Sequence, residues 1–267
     1  MGRTAGRMAR MRWRIGVALA ATGVVVACSG GTVAAPPASG TWQYQLKGRV
    51  DTAVEAGTFD VDLFDTPAET VAALKAQGRT VICYLNAGAV ESWRPDVGAV
   101  PAELIGAPLD DWPGESWLDV SRAAELRPFL AARFDLCREK GFDGVEPDNV
   151  DGYANDSGFD LTAVDQLAFN RMLAELAHER GLTVGLKNDL GQVPDLVDAF
   201  DFAVNEQCAE FDECDALQPF VDQGKPVLHV EYELPLTDFC PAPPGFLSIR
   251  KPLDLTEEVQ ACPVAHA

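Results

Sequence analysis

The sequence predicts an α/β protein, a single TIM-like (β/α)8 barrel with disulfide-stapled loops, and three observations point to it. Eight short runs rich in β-branched and aromatic residues recur between residues 42 and 249. Helix-period segments separate several of them. Carboxylates or amides end nearly every run, and that is where a barrel gathers its functional groups. A doubly wound open sheet shares the alternation, but no Gly-rich phosphate loop follows any run. There is no internal repeat and no interdomain linker.

Taken in order, the strand-like runs are Trp42–Leu46, Phe59–Phe64, Thr80–Leu85, Gly144–Pro147, Thr183–Leu186, Phe202–Asn205, Val227–Val230 and Phe246–Ile249. A helix is expected over Ala68–Gln77, after Thr66 as cap and Pro67 at the first helical position. A second spans Leu126–Lys140, with Leu126, Leu130, Phe134 and Cys137 on one face and Gly141 as its stop. The third spans Thr162–Arg180, with Phe169, Met172, Leu173 and Leu176 on one face and Gly181 after it. Beyond Cys208 and Asp238 the connecting segments are short and loop-rich.

The N-terminus reads as an address. Residues 1–14 carry five Arg and no acid, and residues 15–27 form an apolar run too short to span a bilayer comfortably. Residues 1–28 are therefore expected to be a signal peptide. Val25-Val26-Ala27-Cys28 resembles a bacterial lipobox, which would make Cys28 the lipidated residue. Plain cleavage near Ala27 or Ala34-Ala35 is the alternative. Residues 29–40, Gly- and Pro-rich, read as a flexible tether, and residues 41–267 as the folded barrel domain. The chain is thus expected in the cell envelope or outside the cell, touching a membrane only through a lipid anchor, and as a monomer.

Charge narrows the function. The 267 residues carry 21 Lys+Arg against 41 Asp+Glu, a net −20; without the Arg-rich leader 16 basic groups face 41 acidic ones. Such a body repels nucleic acid and anionic lipid, which bind through Lys and Arg, and attracts polycations. Six cysteines besides Cys28 in an exported protein argue for disulfides, and the most economical set is Cys208–Cys214, Cys240–Cys262 and Cys83–Cys137. With three His and no C-x-x-C pair, neither a metal nor another cofactor is expected.

The strand ends carry the chemistry. The fourth run leads into Glu146, Asp148, Asn149, Asp151 and Tyr153; the fifth into Lys187, Asn188 and Asp189; the sixth into Glu206; the seventh into Glu231 and Tyr232. The second run ends near Asp62 and Asp65 and the third at Tyr84 and Asn86, followed by a long loop with Trp93, Arg94, Asp96, Trp112, Glu115 and Trp117. Crowded carboxyls raise at least one pKa, and two carboxyls flanking a glycosidic bond are the minimum equipment for hydrolysing it. Aromatic faces with interleaved acids suit amino sugars. Trp112 and Trp117 serve equally well as loop packing, and His229 and Glu231 share one strand face, either the mouth or the packing layer. Lys187, ringed by acids, is expected to keep its proton and orient Asp148, which argues against a Schiff base. No G-x-S-x-G elbow occurs.

Six segments in register then carry a resemblance: CYLNAGA (83–89), ESWRPD (91–96), GESWLD (114–119), GFDGVEPDN (141–149), GLKND (185–189) and NEQC (205–208). Together they resemble glycoside hydrolase family 114, the endo-α-1,4-polygalactosaminidases, from about Trp42 to the end. The resemblance implies a TIM-like barrel cutting within α-1,4-linked galactosamine polymers. Its two essential carboxylates fall on Asp148 and Glu206, taken as nucleophile and acid/base by analogy with other α-galactoside-cleaving barrels. A cationic amino-sugar polysaccharide is the implied partner; a non-catalytic binding protein or a hydrolase of a neutral α-galactoside are the alternatives.

Overall fold

The computed structural model describes residues 1–2, 35–37 and 40–263. Cys28 and most of the expected signal and tether lie outside the described residues. The chain divides into two compact units, 1–31 and 32–267, and every strand and helix of the described residues lies in the second.

Eight parallel strands form the barrel wall: β1 (Trp42–Gln45), β2 (Thr58–Asp62), β3 (Thr80–Asn86), β7 (Gly144–Asp148), β8 (Thr183–Lys187), β9 (Phe202–Glu206), β10 (Val227–Glu231) and β11 (Phe246–Arg250). They are neighbours in that order, and β12 (Gln260–Ala261) adds antiparallel to β11. Between β1 and β11 the indole of Trp42 donates to the Leu247 carbonyl at 2.8 Å. Side-chain bonding there takes over from a backbone ladder.

Alternation along the strands divides the apolar residues into two cores. Trp42, Tyr44, Ile82, Phe202, Val204, Leu228, Val230, Leu247 and Ile249 fill the barrel interior. Phe59, Val61, Val81, Cys83, Val145, Val184 and Ala203 point outward to Leu126, Leu130, Phe134, Phe169, Leu173 and Leu176 of the helices.

All three expected helices form: α1 (Ala68–Ala76), α2 (Ala123–Lys140) and α3 (Ala163–His178). Pro67 is itself the N-cap of α1, and Thr66 makes no capping bond. At the end of α2, Gly141 takes φ 91°, the left-handed turn that favours glycine. α3 opens on a capping box between Thr162 and Asp165. After β8 the helices shrink to α4 (Val193–Leu196), α5 (Gln218–Asp222) and α6 (Leu236–Phe239), and residues 46–57 form no helix.

Three disulfides form, Cys83–Cys137, Cys208–Cys214 and Cys240–Cys262. Two staple loops in the helix-poor half; Cys83–Cys137 instead ties β3 to α2 inside the outer core.

The long loop after β3 is a structured excursion. β4 (Ala89–Glu91), β5 (Ile105–Pro108) and β6 (Glu115–Leu118) make a small antiparallel sheet in the order β4-β6-β5. Gly88 lets the excursion leave β3 against the turn after β7, since a Cβ there would lie 1.7 Å from the Asn149 carbonyl oxygen. Among the described residues no helix is long and apolar enough to cross a membrane.

Candidate active site

The C-terminal ends of the strands surround a cavity of about 550 Å³, a size that accommodates a small ligand. Three strands enter it in the same way. β7 ends at Asp148, β8 at Lys187 and β9 at Glu206, and the next residues, Asn149, Asn188 and Gln207, have φ of 59°, 47° and 64°. Each left-handed residue turns the chain sharply away and leaves the preceding side chain aimed into the mouth. Asn visits this region readily and Gln does so at a cost, a form of strain that concentrates at functional sites.

Lys187 is the centre. Its Nζ lies 3.0 Å from Asp148 Oδ1, 3.1 Å from Glu146 Oε1 and 3.3 Å from Glu206 Oε2. It also donates to the Tyr44 hydroxyl at 3.2 Å. Side-chain exposure rises from 0% at Glu146 and 3% at Lys187 to 18% at Asp148 and 25% at Glu206. Glu146 is thus the floor of the cluster, while Asp148 and Glu206 are open to the cavity. Pro147 leaves the alternation intact: Glu146 and Asp148 face inward together, opposite Tyr84 and Asn86 of β3. The β7–β8 ladder stops at Val145–Val184, before the proline that lacks an N–H.

Each carboxylate has its own donors. Tyr84 donates to Asp148 Oδ2 at 2.8 Å and Tyr44 to Glu146 Oε1 at 2.9 Å. Tyr232 donates to Glu206 Oε1, and Asn188 Nδ2 reaches Glu206 Oε2 at 3.3 Å. The side-chain oxygen Oδ1 of Asn188 accepts from the Glu206 backbone N–H at 2.9 Å, fixing the end of β9.

Protonation follows from this arrangement. Burial penalises the Asp148 anion, but the Lys187 ammonium and the Tyr84 hydroxyl outweigh it and hold the carboxyl below its ordinary value. Burial pushes the Lys187 ammonium down, whereas Asp148, Glu206 and Glu146 drive its pKa well above the usual lysine value. Burial, then the carboxylates, raises Tyr44, Tyr84 and Tyr232, so all three remain donors. Burial and then Glu91 and Asp148 push Glu115 up to about 7. Burial, then Asp148, raises Asp151.

Of the residues the sequence singled out, Asp148, Glu206, Lys187, Tyr84, Asn149, Asp151, Asn188, Tyr232, Trp93, Trp112, Trp117, Glu115 and Arg94 line the cavity. Trp93 and Trp112 are 56% and 43% exposed and present open aromatic faces, whereas Trp117, 8% exposed, packs with Ala89 and Leu109. The remaining five lie elsewhere. Asp62, 3% exposed, spends both oxygens on Arg94, at 3.1 and 2.5 Å. Asp96 accepts a bidentate pair from Arg133 of α2, at 2.8 and 2.9 Å. Tyr153 lies against Gly191 and Asp189. Glu146 is sealed beneath the cluster. Glu231 faces the packing layer, because Val230 and Tyr232 take the inward positions of that strand; it accepts from His229 at 2.8 Å and from the Ala209 N–H at 2.9 Å.

Arg94 completes the mapping with a fork taken up by Asp62, Asp65 and Glu91. Sequence reasoning missed Tyr44 and Glu91 on the wall, and the segment Leu253–Leu255 that closes one side. Tyr44 sits within the first strand, and only the inward face of WQYQ marks it. For a metal, the candidate group among the described residues is Cys208, Cys214 and His229, and its two sulfurs are bonded to each other.

Comparison with known proteins decides the family. Residues 25–265 match glycoside-hydrolase family GH114. The chain belongs to that family. This GH114 chain is a glycoside hydrolase, and its barrel resembles the crystal structure of Aspergillus fumigatus Ega3 in complex with galactosamine. That match has a TM-score of 0.80 and 40% identity over 85% of this chain and 96% of Ega3. The glycoside hydrolase domain of PelA from Pseudomonas aeruginosa has the same fold, with a TM-score of 0.64 and 17% identity over 83% of this chain and 98% of that one. An uncharacterized Deinococcus radiodurans protein is 39% identical over 130 residues, which span 42% of this chain and 41% of that relative.

Proposed function

We propose that this GH114 enzyme is an endo-acting galactosaminidase that cleaves α-1,4-linked galactosamine polysaccharide with retention, using Asp148 as nucleophile and Glu206 as acid/base. The observation that carries the reading is the shared ammonium. Asp148 Oδ1 and Glu206 Oε2 lie 3.0 and 3.3 Å from one Nζ, and the sum of these distances, 6.3 Å, caps their separation. Retaining pairs stand about 5–5.5 Å apart and inverting pairs about 6.5–9.5 Å. The bound on this pair of oxygens is compatible with retention.

Asp148, held anionic by Lys187 and Tyr84, attacks the anomeric carbon while Glu206 protonates the leaving oxygen; Glu206 then activates the water that releases the sugar. A wall carrying Asp65, Glu91, Asp110, Glu115, Asp151 and Asp156 suits a chain of ammonium-bearing sugars. The likeness to a structure holding galactosamine supports that choice. Trp93 and Trp112 offer stacking faces at the rim. We further propose that the chain is exported through its first 28 residues and either lipid-anchored at Cys28 or released, with the domain starting near Thr41.

The test is mass spectrometry of products from de-N-acetylated α-1,4-galactosamine oligomers for wild type, Asp148→Asn and Glu206→Gln. Cleavage by wild type alone is expected. Binding without cleavage would favour a polysaccharide-binding protein, and cleavage of a neutral α-galactoside instead would overturn the substrate.

A further inference from the structure

Beneath the catalytic cluster lies a second carboxyl that the reaction scheme leaves unused. Asp60, in the middle of β2, has no exposed surface, and neither carboxylate oxygen has a hydrogen-bond partner among the described residues. It faces Glu146, whose Oε2 is orphaned in the same way. Three fully buried orphan carboxylate oxygens are a large penalty if both groups are ionised. One shared proton removes most of it, turning two repelling acceptors into a donor and an acceptor.

Geometry also says where that proton sits. Glu146 Oε1 accepts from Tyr44 at 2.9 Å and lies 3.1 Å from the Lys187 ammonium, so its negative charge is compensated. Asp60 has no comparable donor. The charged and titratable groups around it are Glu146 and Asp148 of β7 and Lys187 of β8; β1 places Tyr44 and β3 places Ile82 opposite it in register.

We propose that Asp60 is a positioning residue: it stays protonated and donates to Glu146 Oε2, locking Glu146 so that it holds Lys187 between Asp148 and Glu206. The direction of its pKa agrees, since burial and then the charge of Glu146 raise it well above the ordinary carboxyl value. Without the donor, Glu146 regains an orphan oxygen, its carboxylate rotates in search of a partner, and the ammonium that sets the spacing of the catalytic pair loses its anchor. The substrate never touches Asp60, so the effect falls on kcat and spares KM.

Two measurements test this, and the first is independent of any substrate. At pH 9 the infrared difference spectrum between wild type and Asp60→Asn should contain the C=O stretch of a buried protonated carboxylic acid, sensitive to deuteration and lost in the variant. Absence of that band, or its survival in Asp60→Asn, overturns the proposal. The second rests on the galactosaminidase reading. Asp60→Ala should lower kcat by roughly 10- to 100-fold with KM close to wild type. Asp60→Asn, whose amide still donates to Glu146, should restore most of it. If Asp60→Asn is as impaired as Asp60→Ala, a hydrogen-bond donor is not what the site needs and the proposal fails. If no galactosamine oligomer is cut by wild type, the substrate assignment falls while the infrared result still judges Asp60.

Discussion

Two clusters of cations and carboxylates sit within this barrel's mouth, each with two more carboxylates than cations, and they differ in how those carboxylates are paired. In one, Arg94 and Arg133 face Asp62, Asp65, Glu91 and Asp96 through near-ideal forks. In the other, one Lys187 faces Asp148, Glu206 and Glu146. The arginine cluster is spent: its guanidiniums also hold backbone, as where Arg133 Nη1 donates to the Asn86 carbonyl at 2.7 Å, and together they pin the excursion to β2, β3 and α2. The lysine cluster shares one ammonium among three carboxylates and exposes two of them, Asp148 and Glu206, to the cavity. Bidentate guanidinium pairs fix architecture, whereas carboxylates that share one ammonium and open onto the cavity are free to do chemistry.

The largest expected effect lies in the lysine cluster. Asp148→Asn and Glu206→Gln should each lower kcat by about 10²- to 10⁴-fold while thermal unfolding stays near wild type, as steady-state kinetics and calorimetry will show. A variant that lost stability but kept its rate would dissolve the contrast.

Arg133→Met should behave in the opposite way. Removing a guanidinium that is 1% exposed strands Asp96 and leaves Glu91 with one partner fewer, at a cost of about 3–5 kcal/mol in chemical denaturation. Folded protein should retain most of its kcat. A large rate loss at unchanged stability would move this cluster into the catalytic machinery.

Much of this was legible beforehand. All eight barrel strands announced themselves as β-branched runs ending in polar residues; carboxylates or amides marked nearly every strand end, and the resemblance to GH114 is what singled out those at the ends of β7 and β9. Other features carried no local signal. The excursion sheet has strands of three and four residues, one containing Gly106 and Pro108, below the length at which period-two alternation registers. Alternation placed His229 and Glu231 on one face without naming it; the inward demand of Val230 and Tyr232 decided the matter. Asp60 defied the expectation that carboxyls avoid interiors, because its partners arrive from strands 86 and more residues away.

Smaller effects sharpen the picture at the rim. Trp112→Ala should raise KM for galactosamine oligomers by about 3- to 10-fold, the loss of one stacking face at ~0.5–1.5 kcal/mol, with kcat little changed; Trp117→Ala should show instead as lost stability.

The last effect is electrostatic and lies outside the proposed catalytic pair. Burial, then Asp151, pushes Asp189 up to about 8, against ~4 for an unfolded aspartate. Its neutral form is therefore favoured by folding, and the stability it contributes is full below about pH 4 and lost as pH rises to about 8. Asp189→Asn, which keeps a side chain tolerant of φ 44°, should raise the midpoint of thermal unfolding by several degrees at pH 8 and by nothing at pH 4.

The anomeric configuration of the first product bears most directly on the proposed catalytic pair. Proton NMR of α-1,4-galactosamine oligomers during the initial turnovers of wild type should show the new reducing end as the α anomer, with the β anomer growing in only by mutarotation. A β anomer appearing first would contradict a nucleophilic Asp148 held beside Glu206 by Lys187.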